Sequence, residues 1–255
     1  MLFRSTNTCQ ANLQVSLNEP LPISNGVNVV HDSCYQSCNG SATANPSGVF
    51  TAFSYAWCNS TNTANSINNL CAGSYTVTVS DATGCTIETT FTVTHPTALQ
   101  IDSIQVQNVS CFGYGNGSLS LFASGGTPPY SVSQDGGATF VSTNALNNLA
   151  PGLYNLVVRD ANGCEVTDSR SITEPTEVVV TPSFSQTTIC VSNCVNISAP
   201  ASGGSGGPYT YHWTIVGGSG FLGNSMTHNV CPTQNTTYEV YAEDVQGCLS
   251  NVSTI

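Results

Sequence analysis

The chain has 255 residues, of which only 7% are charged, and a net charge of −11 with no lysine; Arg4, Arg159 and Arg170 are its only fixed cations. That balance excludes the basic face that nucleic acid or an anionic membrane surface demands, and no apolar run approaches the roughly 20 residues of a membrane span. Twelve cysteines point to an oxidising compartment outside the cell.

From the N-terminus, residues 1–7 have no apolar signal-peptide core, so the sequence reads as a segment of a larger exported precursor. Residues 1–20 read as the last strand of a preceding repeat. Cys9 stands 11 positions before Pro20, as Cys85 stands before Pro96 and Cys164 before Pro175. Ala11, Leu13, Val15 and Leu17 alternate with polar residues, the pattern of a half-buried strand. The prolines mark repeats at 21–96, 97–175 and 176–255. A new strand begins soon after each, with no flexible linker, so the joints are expected to be stiff.

Each repeat follows one order. A first strand leads to a cysteine (Cys34, Cys111, Cys190), and a second short strand follows. In repeats 2 and 3 a glycine-rich turn comes next, at Ser124–Gly126 and Ser202–Gly204. An aromatic strand follows, holding Trp57 in repeat 1, Tyr130 in repeat 2 and Trp213 in repeat 3. Last comes a hairpin: Tyr75 to Cys85, Tyr154 to Cys164 and Tyr238 to Cys248 keep Tyr, Asp, Gly and Cys at identical offsets. Tyr75, Val77 and Val79 share one strand face, and Asp-x-x-Gly is a tight-turn sequence. Short alternating strands with frequent turn signals predict an all-β chain of tandem immunoglobulin-like β-sandwiches stapled by disulfides. No segment has a sustained helical period. The strand after Cys248 would reach its proline at position 259, so Ile255 is expected to fall inside that strand.

The string Val109-Ser-Cys-Phe-Gly, Asn116-Gly-Ser, Ser124-Gly-Gly-Thr-Pro-Pro-Tyr130, Asn148 to Tyr154, Asp160 to Cys164 and Thr173-Glu-Pro175 resembles the SprB repeat. Repeat 1 shares Cys38-Asn-Gly-Ser-Ala and Asn69 to Tyr75. Repeat 3 resembles PKD-like immunoglobulin modules equally well. The resemblance implies display on the surface of a gliding bacterium after type IX export, as part of a very large adhesin. It supplies no ligand.

Repeats 1 and 3 hold four cysteines each, a number that would also suit zinc. Repeat 2 keeps only the outer pair and has Gly115 at the inner position. A four-thiolate site does not survive the loss of two ligands, whereas two independent disulfides survive the loss of one. The expected bridges are therefore Cys34–Cys85, Cys111–Cys164 and Cys190–Cys248 as outer pairs, with Cys38–Cys71 and Cys194–Cys231 as inner pairs. Cys9 and Cys58 are left unassigned, and Cys58 is expected to face solvent as a free thiol.

Asp81, Asp160 and Asp244 could be calcium ligands at a domain joint. The favoured reading is a turn residue bonding its own backbone, since no second carboxylate lies nearby in sequence. No other cofactor is expected. The four histidines are scattered and no catalytic set recurs, so the chain is not expected to be an enzyme. Trp57 and Trp213 are expected to pack in the core against a disulfide, with sugar stacking as the sharper alternative. The sequence thus predicts a structural segment of a long repetitive surface adhesin. The rival readings are a filament assembled by strand complementation through residues 9–18 and a glycan-binding module. The expected partners are neighbouring repeats, copies of itself or surface glycans, without nucleic acid or membrane insertion.

Overall fold

The computed structural model describes residues 22–58, 60–186, 188–190, 193–218 and 220–255. Residues 1–21, including Cys9 and the expected strand at 9–18, lie outside the described residues. Among the described residues there are strands and turns and no helix. Backbone proximity divides the chain into two units, Met1–Pro96 and Thr97–Ile255.

In the first unit, β1 (Ser24–Val30), β2 (Gly40–Ser47) and β4 (Ser66–Leu70) form one antiparallel sheet in the order β1-β2-β4. A second sheet takes β3 (Phe53–Trp57), β5 (Gly73–Asp81) and β6 (Thr86–Val93) in the order β3-β5-β6. Both sheets supply the core, because strand alternation sends every second residue inward. Val77 and Val79 are fully buried on the Tyr75 face, beside Trp57, Phe91, Ala42 and Ala44.

The second unit opens with the same plan. β7 (Gln100–Gln107), β8 (Gly117–Ser124) and β10 (Ala145–Leu149) form one sheet, and β9 (Ser131–Ser133), β11 (Gly152–Arg159) and β12 (Glu165–Ile172) form the other. Leu119, Leu121, Leu156 and Val158 fill this core. The chain then builds a further sandwich. β13 (Thr176–Val180) pairs with β16 (Ala201–Gly204), and β15 (Val195–Ser198) lies between β14 (Ser183–Phe184) and β19 (Thr227–Val230). The facing sheet runs β18 (Phe221–Gly223), β17 (Thr210–Ile215), β20 (Tyr238–Glu243) and β21 (Ser253–Thr254). Its core centres on Trp213, Val240, Ala242 and Ile197.

Tyrosines anchor the start of the hairpin strand in the first two repeats. The Tyr75 hydroxyl donates to the Cys71 carbonyl at 2.9 Å, and the Tyr154 hydroxyl donates to the Ala150 carbonyl at 2.8 Å. This is the corner tie of immunoglobulin-type sandwiches, a phenol bonded to backbone a few residues upstream.

Candidate functional site at the repeat joint

The hairpin turn is held by its aspartate. Asp244 Oδ1 accepts the N–H groups of Gln246 at 2.8 Å and Cys248 at 2.9 Å, and Oδ2 accepts that of Ser205 at 2.7 Å. Asp160 repeats the pattern with Asn162, Cys164 and Thr127. Asp81 takes the Thr83 N–H and hydroxyl and the Cys85 N–H. Burial pushes the Asp244 carboxyl up, but hydrogen bonds from Ser205, Cys248, Gln246 and Gly247 outweigh it and hold the group below the usual carboxylate range. The Thr83 hydroxyl is the main cause of a lowered Asp81.

Ser205 and Thr127 follow the double-glycine turns, which press against the same aspartates. Gly203 and Gly204 have φ of +87° and +60°, and Gly125 and Gly126 have +76° and +57°. A Cβ at Gly204 would run into Asp244 Oδ2, and one at Gly203 into the Glu177 carbonyl. Only glycine meets both the positive φ and the close approach. These turns, the first strand of the repeat and the hairpin turn therefore form the N-terminal end of each sandwich in repeats 2 and 3.

The cysteine that follows the first strand lies at the opposite end. The Val109 N–H donates to the Thr173 carbonyl at 3.0 Å, and the Gly113 N–H to Glu174 Oε2 at 2.7 Å. Cys111 is thus beside the end of β12, whereas Cys164 immediately precedes its start. The eight residues of β12 span roughly 26 Å of extended chain, far beyond the Cα separation of about 7 Å that a disulfide tolerates.

The three outer pairings expected from the sequence are corrected accordingly. Cys111 bonds Cys248 of the next repeat, with Cα atoms 5.5 Å apart, and neither Cys111–Cys164 nor Cys190–Cys248 forms. Cys34–Cys85 does not form either: Cys85 is a free, exposed thiol, and Cys190 is another. Cys34 and Cys164 are both disulfide-bonded. The Cys111–Cys248 bridge is buried, with its residues 6% and 4% exposed, and it joins the core cluster of the third repeat. It lies beside the chain's own crossing at Glu174–Pro175, so repeats 2 and 3 are tied twice.

The inner bridges are Cys38–Cys71 and Cys194–Cys231. Each closes the end of a strand pair, next to the partners Gly40 and Leu70 in one and Val195 and Val230 in the other. The tryptophans are core residues, and Trp213 shares its cluster with the Cys111–Cys248 bridge. Trp57 Nε1 donates to the Ala64 carbonyl at 2.9 Å and its ring meets Phe91 edge-on. Trp213 Nε1 donates to the Ser225 carbonyl at 3.1 Å and its ring meets His228 edge-on. At 4% and 0% exposure neither ring has a face free for a sugar. Cys58 is a free thiol but half-buried and not fully turned to solvent, and the Thr76 N–H donates to its Sγ at 3.1 Å.

Among the described residues no three His, Cys, Asp or Glu side chains converge on a metal position. The Asp81, Asp160 and Asp244 oxygens that accept backbone N–H groups face donors, the wrong polarity for a cation.

The fold and the joint define a class: a tandem array of disulfide-stapled, immunoglobulin-like β-sandwiches. The SprB repeat family matches residues 103–139, within the second repeat and overlapping the string from Val109 that resembles it. The chain carries a SprB repeat. Comparison with curated proteins finds no match. Among solved structures, the chain is similar to the three N-terminal domains of the bacteriophage RB49 Highly Immunogenic Outer Capsid protein. The identity is 17%, coverage is 91% of this chain and 96% of that one, and the TM-score is 0.40. It is also similar to the N-terminal eight Ig domains of Down Syndrome Cell Adhesion Molecule, at 11% identity, 92% and 47% coverage and a TM-score of 0.32. The chicken CNTN1 FN1–FN3 domains match at 10% identity, 93% and 98% coverage and a TM-score of 0.23.

Proposed function

We propose that this chain is a structural segment of a long, repetitive adhesin or fibre on the outside of a bacterial cell. It holds a distal adhesive region away from the surface and multiplies weak contacts. The observation that carries the reading is the double tie between repeats 97–175 and 176–255, a peptide crossing at Pro175 and a buried Cys111–Cys248 bridge. A joint tied at two points resists bending and transmits load, which suits projection. The role is mechanical and not enzymatic. The SprB repeat adds gliding adhesins and type IX export as the setting.

The test is imaging of the parent protein on cells, together with surface attachment by cells that lack this segment. Isolated threads that shorten with the deletion, and attachment that weakens, support a projecting stalk. Ordered helical filaments would replace it with an assembling subunit. Specific hits by the purified chain on a glycan array would replace it with a sugar-binding module.

A further inference from the structure

A free thiol and a disulfide share one cavity in the first repeat. β3 and β4 are edge strands of the two sheets of that sandwich. A cavity of about 510 Å³ is lined by residues at the end of each, among them Cys58, Asn69, Cys71 and Tyr75. Cys58 is the free thiol, and Cys71 carries the bridge to Cys38. Both are fixed to neighbouring residues of β5. The Thr76 N–H donates to Cys58 Sγ at 3.1 Å, and the Cys71 carbonyl accepts the Tyr75 hydroxyl at 2.9 Å.

This bridge differs in two respects from the one at the joint. Cys71 is exposed, whereas Cys111 and Cys248 are buried, so an attacking thiolate can reach its sulfur. Cys38 has a φ of +53°, a left-handed backbone that an L side chain adopts only at an energetic cost. Its counterpart in repeat 2, Gly115, has no inner bridge and no such φ. The bridge therefore holds Cys38 in an unfavourable backbone, and losing the bridge relieves it. Accessible bridges with strain to release are the exchangeable ones.

We propose that Cys58 is the built-in exchange partner of the Cys38–Cys71 bridge. The Cys58 thiolate attacks Cys71 Sγ, because Cys71 is the bridge cysteine that lines the shared cavity. The Cys38–Cys71 bond breaks and a Cys58–Cys71 bond forms. Cys38 leaves as a thiolate and takes up a proton, matching the one Cys58 gave to solvent. One disulfide replaces another, so no oxidant or reductant is consumed. The new bridge needs Cα atoms within about 7 Å, so the cavity closes as it forms. Exchange thus moves a clip. In one isomer it ties β2 to β4 within a sheet; in the other it ties the end of β3 to the end of β4 across the open side, with Cys38 as the free thiol. Relief at Cys38 against closure of the cavity sets the balance between the two isomers. The inference goes beyond the projecting role proposed above and would stand without it.

The test uses the full chain with Cys9→Ser, Cys85→Ser and Cys190→Ser, which leaves Cys58 as the free thiol among the described cysteines. It is held at about pH 8 without reductant, to supply thiolate. It is then pulsed with excess N-ethylmaleimide and digested with pepsin in acid, where exchange stops, for peptide mapping. The expected result is two populations: label on Cys58 with a Cys38–Cys71 peptide, and label on Cys38 with a Cys58–Cys71 peptide. Label on Cys38 should exceed that in a further Cys58→Ser variant by more than about tenfold. Cys38→Ser should join Cys58 to Cys71 in oxidised glutathione, and the chain with all three cysteines decides the question even where that variant does not fold. Label on Cys38 that does not depend on Cys58, label on Cys71 in place of Cys38, or loss of the Cys111–Cys248 and Cys194–Cys231 peptides alongside would each overturn the proposal.

Discussion

The bridge between repeats has a mechanical consequence that can be measured in ångströms. Consider the chain stretched between handles at positions 97 and 255. With Cys111 bonded to Cys248, tension runs from residue 97 to 111, across the sulfurs, and from 248 to 255. The 137-residue separation enclosed by the bridge lies off that path and cannot lengthen, whatever happens to its fold. Extended chain measures about 3.3–3.6 Å per residue, so the oxidised protein should release roughly 70–75 Å of contour length. Full reduction opens the bypass and should add roughly 450–490 Å. Single-molecule stretching with and without a thiol reductant reads the difference directly, and Cys111→Ser/Cys248→Ser should lengthen the release without reductant. Release of roughly 200 Å or more from oxidised wild-type protein would refute the reasoning, because it requires tension to pass through chain that the bridge should shield.

Three further outcomes follow from the same geometry. Gly203→Ala should cost about 3 kcal/mol in urea unfolding, since its Cβ would collide with the Glu177 carbonyl at a φ of +87°. Gly84→Ala, at a φ of +88° with nothing nearby, should cost only about 1 kcal/mol. Asp81, Asp135 and Asp244 have folded-state carboxyls below their ordinary values. A lowered folded pKa stabilises above the unfolded value of about 3.9 and is lost as pH falls through the folded one. Thermal melts should therefore be flat in this contribution from neutrality to about pH 5 and fall below about pH 4. Because the turn aspartates already accept backbone N–H groups, calcium or a chelator should leave the melting temperature unchanged; a calcium-dependent rise would show that the turns bind the ion.

The hairpins were legible in the sequence because their signal is local. Alternation along Tyr75, Val77 and Val79 is read within one strand, and the turn chemistry of Asp81 to Cys85 within five residues. The inner bridges were legible too, since Cys38 and Cys71 bracket two strands that pair. The outer pairings were not. Cysteines recurring at fixed offsets fit a bridge within each repeat and a bridge to the next repeat equally well. What separates the two is which end of the sandwich each cysteine occupies, and that depends on contacts such as Val109 to Thr173, 64 residues apart. The glycine pairs were recognised as turns, but their contact with the hairpin aspartate, as between Gly126 and Asp160, is likewise long-range and silent in the local pattern.

The two kinds of bridge differ in what can replace them. Repeat 2 lacks the inner bridge and has Leu119 and Leu121 where repeat 1 has Ala42 and Ala44, all buried at the same positions of the second strand. Two leucines in place of two alanines bury about six more methyl or methylene groups, worth roughly 5 kcal/mol. The Cys38–Cys71 bridge, with a separation of 33, is worth about 4 kcal/mol in the chain-entropy relation. Repeats 1 and 3 also carry a buried tryptophan in their cores, whereas the core of repeat 2 has none among the described residues. A sandwich can therefore exchange an inner staple for a larger aliphatic core at nearly equal stability. No such exchange exists at the joint, because a core residue of one repeat cannot restrain the next. Cysteines recur at the corresponding positions of all three repeats, at 34, 111 and 190 and at 85, 164 and 248, while the inner pair comes and goes. Stability within a repeat is negotiable in this chain, and the tie between repeats 2 and 3 is not.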